Sequence, residues 1–248
     1  MKALITGASS GMGKEFAKIL AKTYDEIVLV ARNKERLEEV KNELAPVKVK
    51  VISLDVSNRE NCIKLHEQVK DVDLLINNAG FGDYGSFTET DLGKELSMID
   101  TNIAAYHILT KLYLKDMRKK NSGHILNVAS IAGFMPGPLM TTYYATKSYV
   151  VRMSEGIREE LKKEKSKVKI SILCPGPVKT NFEKSANIKF NFNGTDSRKV
   201  CEYTIKHLNK FYIVPGITMK MARITAGIVP SSLAGKAVYS LQSKRKGE

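Results

Sequence analysis

The chain has 248 residues, 43% of them hydrophobic and 27% charged, which excludes wholesale disorder and suffices for one α/β domain with a large core. Forty Lys and Arg against 26 Asp and Glu give a formal charge of +14, which favours anions such as nucleotide phosphates, acyl-carrier proteins or acidic membranes. The Lys residues are scattered over helical surfaces, as in REELKKEKSKVK (158–169), without the aromatic interleaving that tracks a nucleic-acid strand, so no nucleic-acid partner is expected.

The apolar runs ALIT (3–6), EIVLVA (26–31), VKVISLD (49–55), DLLINNAG (73–80), GHILNVAS (123–130) and VKISILCPG (168–176) predict buried strands. Between them, stretches such as KEFAKILAKTY and NKERLEEVKNELA carry apolar residues at three- and four-residue spacing and predict helices. This alternation predicts a doubly wound parallel sheet with right-handed crossovers and helices on both faces, in a single domain spanning 1–248. In such sheets ligands bind at the carboxyl ends of the strands. Gly7 to Gly13, Arg32, Asp55, Asn78 to Gly80, Ser130 and Pro175 to Thr180 all follow predicted strands and should line one crevice.

After the 1–181 core the alternation lapses, and 182–215, which includes a short helix in VCEYTIKHLNK, reads as a mobile substrate lid. The remainder, 216–248, is a mildly amphipathic basic extension broken at Pro230. From 201 to 248 there are eight Lys or Arg against two Asp or Glu. That tail could rest on an acidic lipid surface or carrier, or pack on the lid or on a partner subunit. Cys62, Cys174 and Cys201 lack metal-ligand spacing, so neither a disulfide framework nor a metal site is expected and the cytoplasm is the natural compartment. No signal peptide is evident, and no stretch reaches the ~20 apolar residues of a membrane span.

TGASSGMG (6–13) follows the first strand and opens the first helix. Its glycines at 7, 11 and 13 let the backbone turn tightly and approach a pyrophosphate, whose charge the helix dipole and free amides favour. Lys14 is not placed as in a P-loop. At the end of the second strand, Ala31 and Arg32 stand where a dinucleotide fold commonly carries the acid that holds a ribose 2′-hydroxyl. A missing acid and a present Arg favour a 2′-phosphate, hence NADP(H) over NAD(H), with Arg36 a second candidate beside Arg32. In YYATK, Tyr143 and Lys147 are four residues apart and share a helix face, with Ser130 thirteen residues before Tyr143. A cation there favours phenolate and predicts a phenol below its ordinary ~10.

Together these motifs resemble those of the short-chain dehydrogenase/reductase family over nearly all of residues 2–181. TGASSGMG matches TGxxxGxG, NNAG (77–80) the segment that steadies the central strand, and Ser130 with Tyr143 to Lys147 the family's Ser and YxxxK. Asn102 matches the active-site Asn, and PGPVKT (175–180) matches PGxVxT. The resemblance implies a Rossmann-type fold and an NADP(H)-dependent oxidoreductase that reduces a carbonyl or oxidises a secondary alcohol. It implies that Gly7, Ser9, Ser10, Gly11, Met12 and Gly13 cradle the cofactor, that Asp55 and Val56 meet the adenine, and that Asn78, Ala79 and Gly80 line the adenine-ribose side. Pro175, Gly176, Val178 and Thr180 would lie toward the nicotinamide. Tyr143 would donate the proton, Ser130 would hold the same substrate oxygen, Lys147 would grip the nicotinamide ribose, and Asn102 would hold a water that resupplies the proton. Homodimers or homotetramers through helices near 92–120 and 143–164 are implied as well.

The substrate-facing stretches FGDYGSF (81–87), IAGFMPGPLM (131–140) and the lid offer Phe, Met, Leu and Tyr with few fixed charges. An apolar ketone or 3-oxoacyl chain is therefore expected ahead of a sugar or hydroxy acid, and a steroid ketone fits too. A non-catalytic NADP sensor should have lost Tyr143 or Lys147, and both are present.

Overall fold

The computed structural model describes residues 1–44, 46–188 and 194–244. The first half alternates β1 (Lys2–Thr6), α1 (Gly11–Leu20), β2 (Glu26–Ala31), α2 (Lys34–Asn42), β3 (Lys48–Ser53), α3 (Arg59–Gln68) and β4 (Leu74–Asn77). Next come α4 (Leu92–Ile99) and α5 (Ala105–Lys120), joined by a π-helical turn at Asp100–Ala104, then β5 (His124–Val128), α6 (Thr141–Lys163) and β6 (Lys169–Leu173). The last part holds β7 (Val178–Lys179), α7 (Phe182–Ala186), β8 (Thr195–Asp196), α8 (Ser197–Lys206), β9 (Tyr212–Ile213), α9 (Ile217–Ala226) and α10 (Ser231–Gln242).

Seven strands form one parallel sheet in the order β3-β2-β1-β4-β5-β6-β9. Successive side chains of a strand point to opposite faces, and the core follows that period. Ala3, Ile5, Ile27 and Leu29 pack with Phe16, Leu20 and Leu37 on one face, whereas Leu4, Val28 and Val30 pack with Leu65, Leu109 and Tyr113 on the other. The chain leaves β1 toward β2 on one side and β4 on the other, so a crevice opens at their carboxyl ends. Thr6 closes the floor of that crevice: its Oγ1 accepts from the backbone N–H groups of Asn78 and Ala79 at 3.0 and 3.1 Å.

The segment expected as a lid, 182–215, divides in two. Asp196 caps α8 by accepting from the Lys199 N–H at 3.0 Å, and α8 buries Val200, Cys201 and Thr204, the first two in the core cluster that includes Phe16 and Ala17 of α1. Beyond it, Tyr212 and Ile213 pair with Ile172 and Leu173 as the seventh strand. The stretch 197–213 is thus part of the layered core, not a lid. Of the remainder, Asn181, Phe182 and Ser185 line the crevice, and 189–193 lie outside the described residues.

Candidate active site

β1 delivers the chain at Thr6 into a turn that only glycine accommodates at two points, with Gly7 at φ +67° and Gly11 at φ +52°. A Cβ on Gly13 would lie 2.1 Å from the Gly7 carbonyl oxygen, so this residue lets α1 close onto the turn. Ser10 stands at the N-cap without a side-chain hydrogen bond and the first turn of α1 carries no acid. Its amides and dipole are therefore left to an anion. This backbone-lined concavity fits a dinucleotide pyrophosphate. Gly13→Ala should destabilise the fold by roughly 2 kcal/mol or more through this clash, read as a lowered midpoint of thermal unfolding.

The turn opens into a cavity of about 890 Å³ that runs from Arg32, Asn33 and Arg36 to Tyr143 and beyond. Gly7, Ser9, Ser10, Gly11, Met12, Asp55, Val56, Asn78, Ala79, Gly80, Ser130, Lys147, Pro175, Gly176, Val178 and Thr180 all line it. The residues predicted from separate strands are therefore gathered in one place. Arg32 is well exposed, with its guanidinium 3.9 Å from the Asp55 carboxylate, a solvated pair that leaves it available to another anion.

Gly13 and Asn102 do not line the cavity. Asn102 lies in the π-helical turn, fully buried, and donates from Nδ2 to the Phe81 carbonyl at 2.9 Å and to Thr146 Oγ1 at 3.1 Å. Its Oδ1 accepts from the Phe81 N–H at 3.2 Å. Thr146 in turn donates to the Tyr143 carbonyl at 2.7 Å. The Asn102 amide thus ties the loop after β4 to the first turn of α6, and has no hydrogen left for a water.

Ser130 follows β5 and is held by accepting from the Ala132 N–H at 3.2 Å. Tyr143 and Lys147 stand one turn apart at the start of α6. The Lys147 ammonium is buried and donates to the Val128 carbonyl at 3.0 Å, 5.8 Å from the centre of the Tyr143 ring. Burial pulls it down to about 8. The phenol departs from the sequence expectation: burial pushes Tyr143 above its ordinary value, while a hydrogen bond from Ser130 works the other way. The cause is the surroundings. Tyr143 packs with Met140, Tyr144 and Phe182, the Phe182 ring centre lying 5.2 Å away, and desolvation disfavours the anion.

Beyond Tyr143 the cavity wall is apolar, built from Met135, Met140, Phe182, Met219 and Val238, with Gln242 as a polar tip. Gln242, buried at the end of α10, donates from Nε2 to the Tyr144 hydroxyl at 2.9 Å, and its carbonyl accepts from the Tyr84 hydroxyl at 2.9 Å. Sequence reasoning placed the wall in 81–87, 131–140 and the lid, and missed the share of α9 and α10. No local pattern announces that a tail helix folds back over a site assembled far earlier in the chain.

Known proteins agree with this geometry. The profile of the short chain dehydrogenase family matches residues 1–190. An uncharacterized oxidoreductase of Staphylococcus aureus strain USA300 is 36% identical over 202 residues, covering 80% of this chain and 84% of that protein. A short-chain dehydrogenase from Sphingobium yanoikuyae, solved with NADPH, superposes with a TM-score of 0.83 at 24% identity, covering 92% of this chain and 93% of that one. A short chain dehydrogenase/reductase from Burkholderia phymatum, solved with NAD, gives 0.81 at 25% identity, covering 90% and 91%. A glycine-turned anion cradle and a Ser–Tyr–Lys cluster line one crevice, and the chain belongs to the short-chain dehydrogenase/reductase family, acting on alcohol or carbonyl groups with a nicotinamide cofactor.

Proposed function

We propose that this oxidoreductase is an NADP(H)-dependent carbonyl reductase whose substrate is an apolar ketone or 3-oxoacyl chain. The observation that carries the reading is the convergence of Ser130, Tyr143 and Lys147 on one cavity, directly beside the apolar wall of Met140, Phe182 and Val238. When bound, the nicotinamide supplies the hydride. The chain supplies the rest. Tyr143, held in its protonated form by burial, donates its hydroxyl proton to the carbonyl oxygen as negative charge grows there. Ser130 donates a second hydrogen bond to the same oxygen. Lys147 presents a cation at the phenol's side, and Asn102, through Thr146, positions the turn of α6 that carries Tyr143. Phe182 and α10 wall the reacting end with apolar side chains.

Arg32 and Arg36 at the far end of the cavity, with no acid at position 31, support NADP(H) over NAD(H). Arg32→Ala should lower the preference for NADPH over NADH about tenfold or more in kcat/KM ratios. An unchanged ratio would refute the assignment. A homodimer or homotetramer belongs to the same reading, supported by Leu92 and Leu96 of α4 and Tyr149 of α6, which are exposed large side chains. Static light scattering at working concentration should give a mass of two or four chains. Cys62, Cys174 and Cys201, buried and unpaired, fit a reducing compartment such as the cytoplasm.

A further inference from the structure

α9 is packed the wrong way round for a surface helix. Met219, Ala222, Arg223 and Ala226 turn toward the protein, while Ile217, Met221, Ile224 and, just past its end, Ile228 share the outer face at 53–79% exposure. No residue of α9 is fully buried. An amphipathic helix on a globular protein turns its large apolar residues inward, so this outer stripe has something other than the core to meet. α10 also exposes Leu233 and Tyr239. Scattered single apolar residues are ordinary, but Ile217, Met221, Ile224 and Ile228, recurring at three- and four-residue spacing, make one continuous stripe.

Two further observations say what covers it. From residue 203 to 247 the sequence contains no Asp or Glu, while Lys220 and Lys236 sit on the two helices themselves. A second copy meeting this face across a two-fold axis would set like charges against each other, whereas an anionic bilayer surface complements them. The same helices also form the apolar end of the cavity, α9 through Met219 and Ala222, α10 through Val238 and Gln242. Among the described residues no helix is long and apolar enough to cross a membrane, so the contact is one of lying on the surface.

We propose that α9 and α10 dock this protein on acidic lipid surfaces, and that the cavity between them takes its apolar carbonyl substrate from that surface. The second half rests on the carbonyl-reductase reading; the first does not.

The test uses the full chain and the double variant Ile224→Asp with Ile228→Asp, neither of which lines the cavity. Binding is read by co-sedimentation with vesicles of phosphatidylcholine alone and of phosphatidylcholine with phosphatidylglycerol. The wild type should partition onto the anionic vesicles, less so as salt rises, and the variant should bind them at least about tenfold more weakly while retaining NADPH binding. Equal sedimentation of the two proteins, or none of either, overturns the docking. So does a wild-type oligomer that the variant splits while vesicles bind neither, which would assign the face to a second copy. The supply of substrate is read by NADPH oxidation with a long-chain ketone held in the vesicles and a short water-soluble one. The variant should lose about tenfold of the vesicle-borne rate and keep the soluble one. Equal rates for both proteins on the vesicle-borne ketone overturn the supply. Turnover of neither ketone by wild type overturns the carbonyl reading and the supply with it, and sedimentation still decides the docking.

Discussion

Tyr143→Phe should lose about 10³-fold in kcat for carbonyl reduction while binding NADPH as tightly as the wild type. The substitution removes one hydroxyl and leaves the ring, which fills the apolar cluster with Met140, Tyr144 and Phe182. Packing is retained and the proton donor is gone. Single-turnover kinetics would place the loss in the chemical step, and NADPH fluorescence titration would show binding intact. Tyr144→Phe is the internal control. Its hydroxyl accepts from Gln242 rather than facing Ser130 and Lys147, so its loss should cost less than about tenfold, through a looser α10. Comparable losses in the two variants would contradict the assignment.

Lys147→Met should lower kcat about 10²-fold or more and, unusually for an active-site change, raise stability at neutral pH. Burial lowers the Lys147 ammonium from 10.5 to about 8. The folded chain therefore holds this proton less tightly than the unfolded chain, and the sign follows from that. Below about pH 8 the protein carries the full cost of a buried charge, roughly 3 kcal/mol, and wild-type stability recovers as pH rises from about 8 toward 10.5. Methionine has a similar length and no charge, and the Val128 carbonyl that loses the ammonium keeps a second donor, the Tyr106 hydroxyl at 3.1 Å. The variant should thus unfold several degrees higher than wild type at pH 7 and no higher at pH 10. A variant less stable at pH 7 would contradict the account of the buried cation. In wild type, kcat/KM for NADPH, which reports groups of the free enzyme, should fall as pH rises through about 8.

The six long strands were legible because buried parallel strands are written as continuous apolar runs. The glycine turn was legible for a similar reason: positive φ at Gly7 and Gly11 admits few other residues. What escaped was set by distant packing. β9 is two residues long and exists only because β6 offers it an edge at Ile172 and Leu173. α8 reads as a polar stretch, yet Val200, Cys201 and Thr204 are buried, Val200 and Cys201 in the same cluster as Phe16 and Ala17, which turned an expected lid into core. The Tyr143–Lys147 spacing correctly put both groups on one cavity, but spacing alone says nothing of the Val128 carbonyl that takes the ammonium or of the burial that raises the phenol. Asn102 shows the same limit. Its match to a family position is plain in the sequence, whereas its commitment to Phe81 and Thr146 appears only once α4 and α5 are joined by a widened turn.

The central claim, that Ser130, Tyr143 and Lys147 reduce an apolar carbonyl at the expense of NADPH, is tested most directly by NADPH oxidation by the purified protein across 3-oxoacyl thioesters, steroid ketones, small ketones and aldehydes, and polar hydroxy-acid partners. Carbonyl-dependent oxidation that is fastest with an apolar ketone or 3-oxoacyl thioester, and that Tyr143→Phe abolishes, is the predicted result. Tight NADPH binding without oxidation by any carbonyl, or a rate that Tyr143→Phe leaves unchanged, would contradict it.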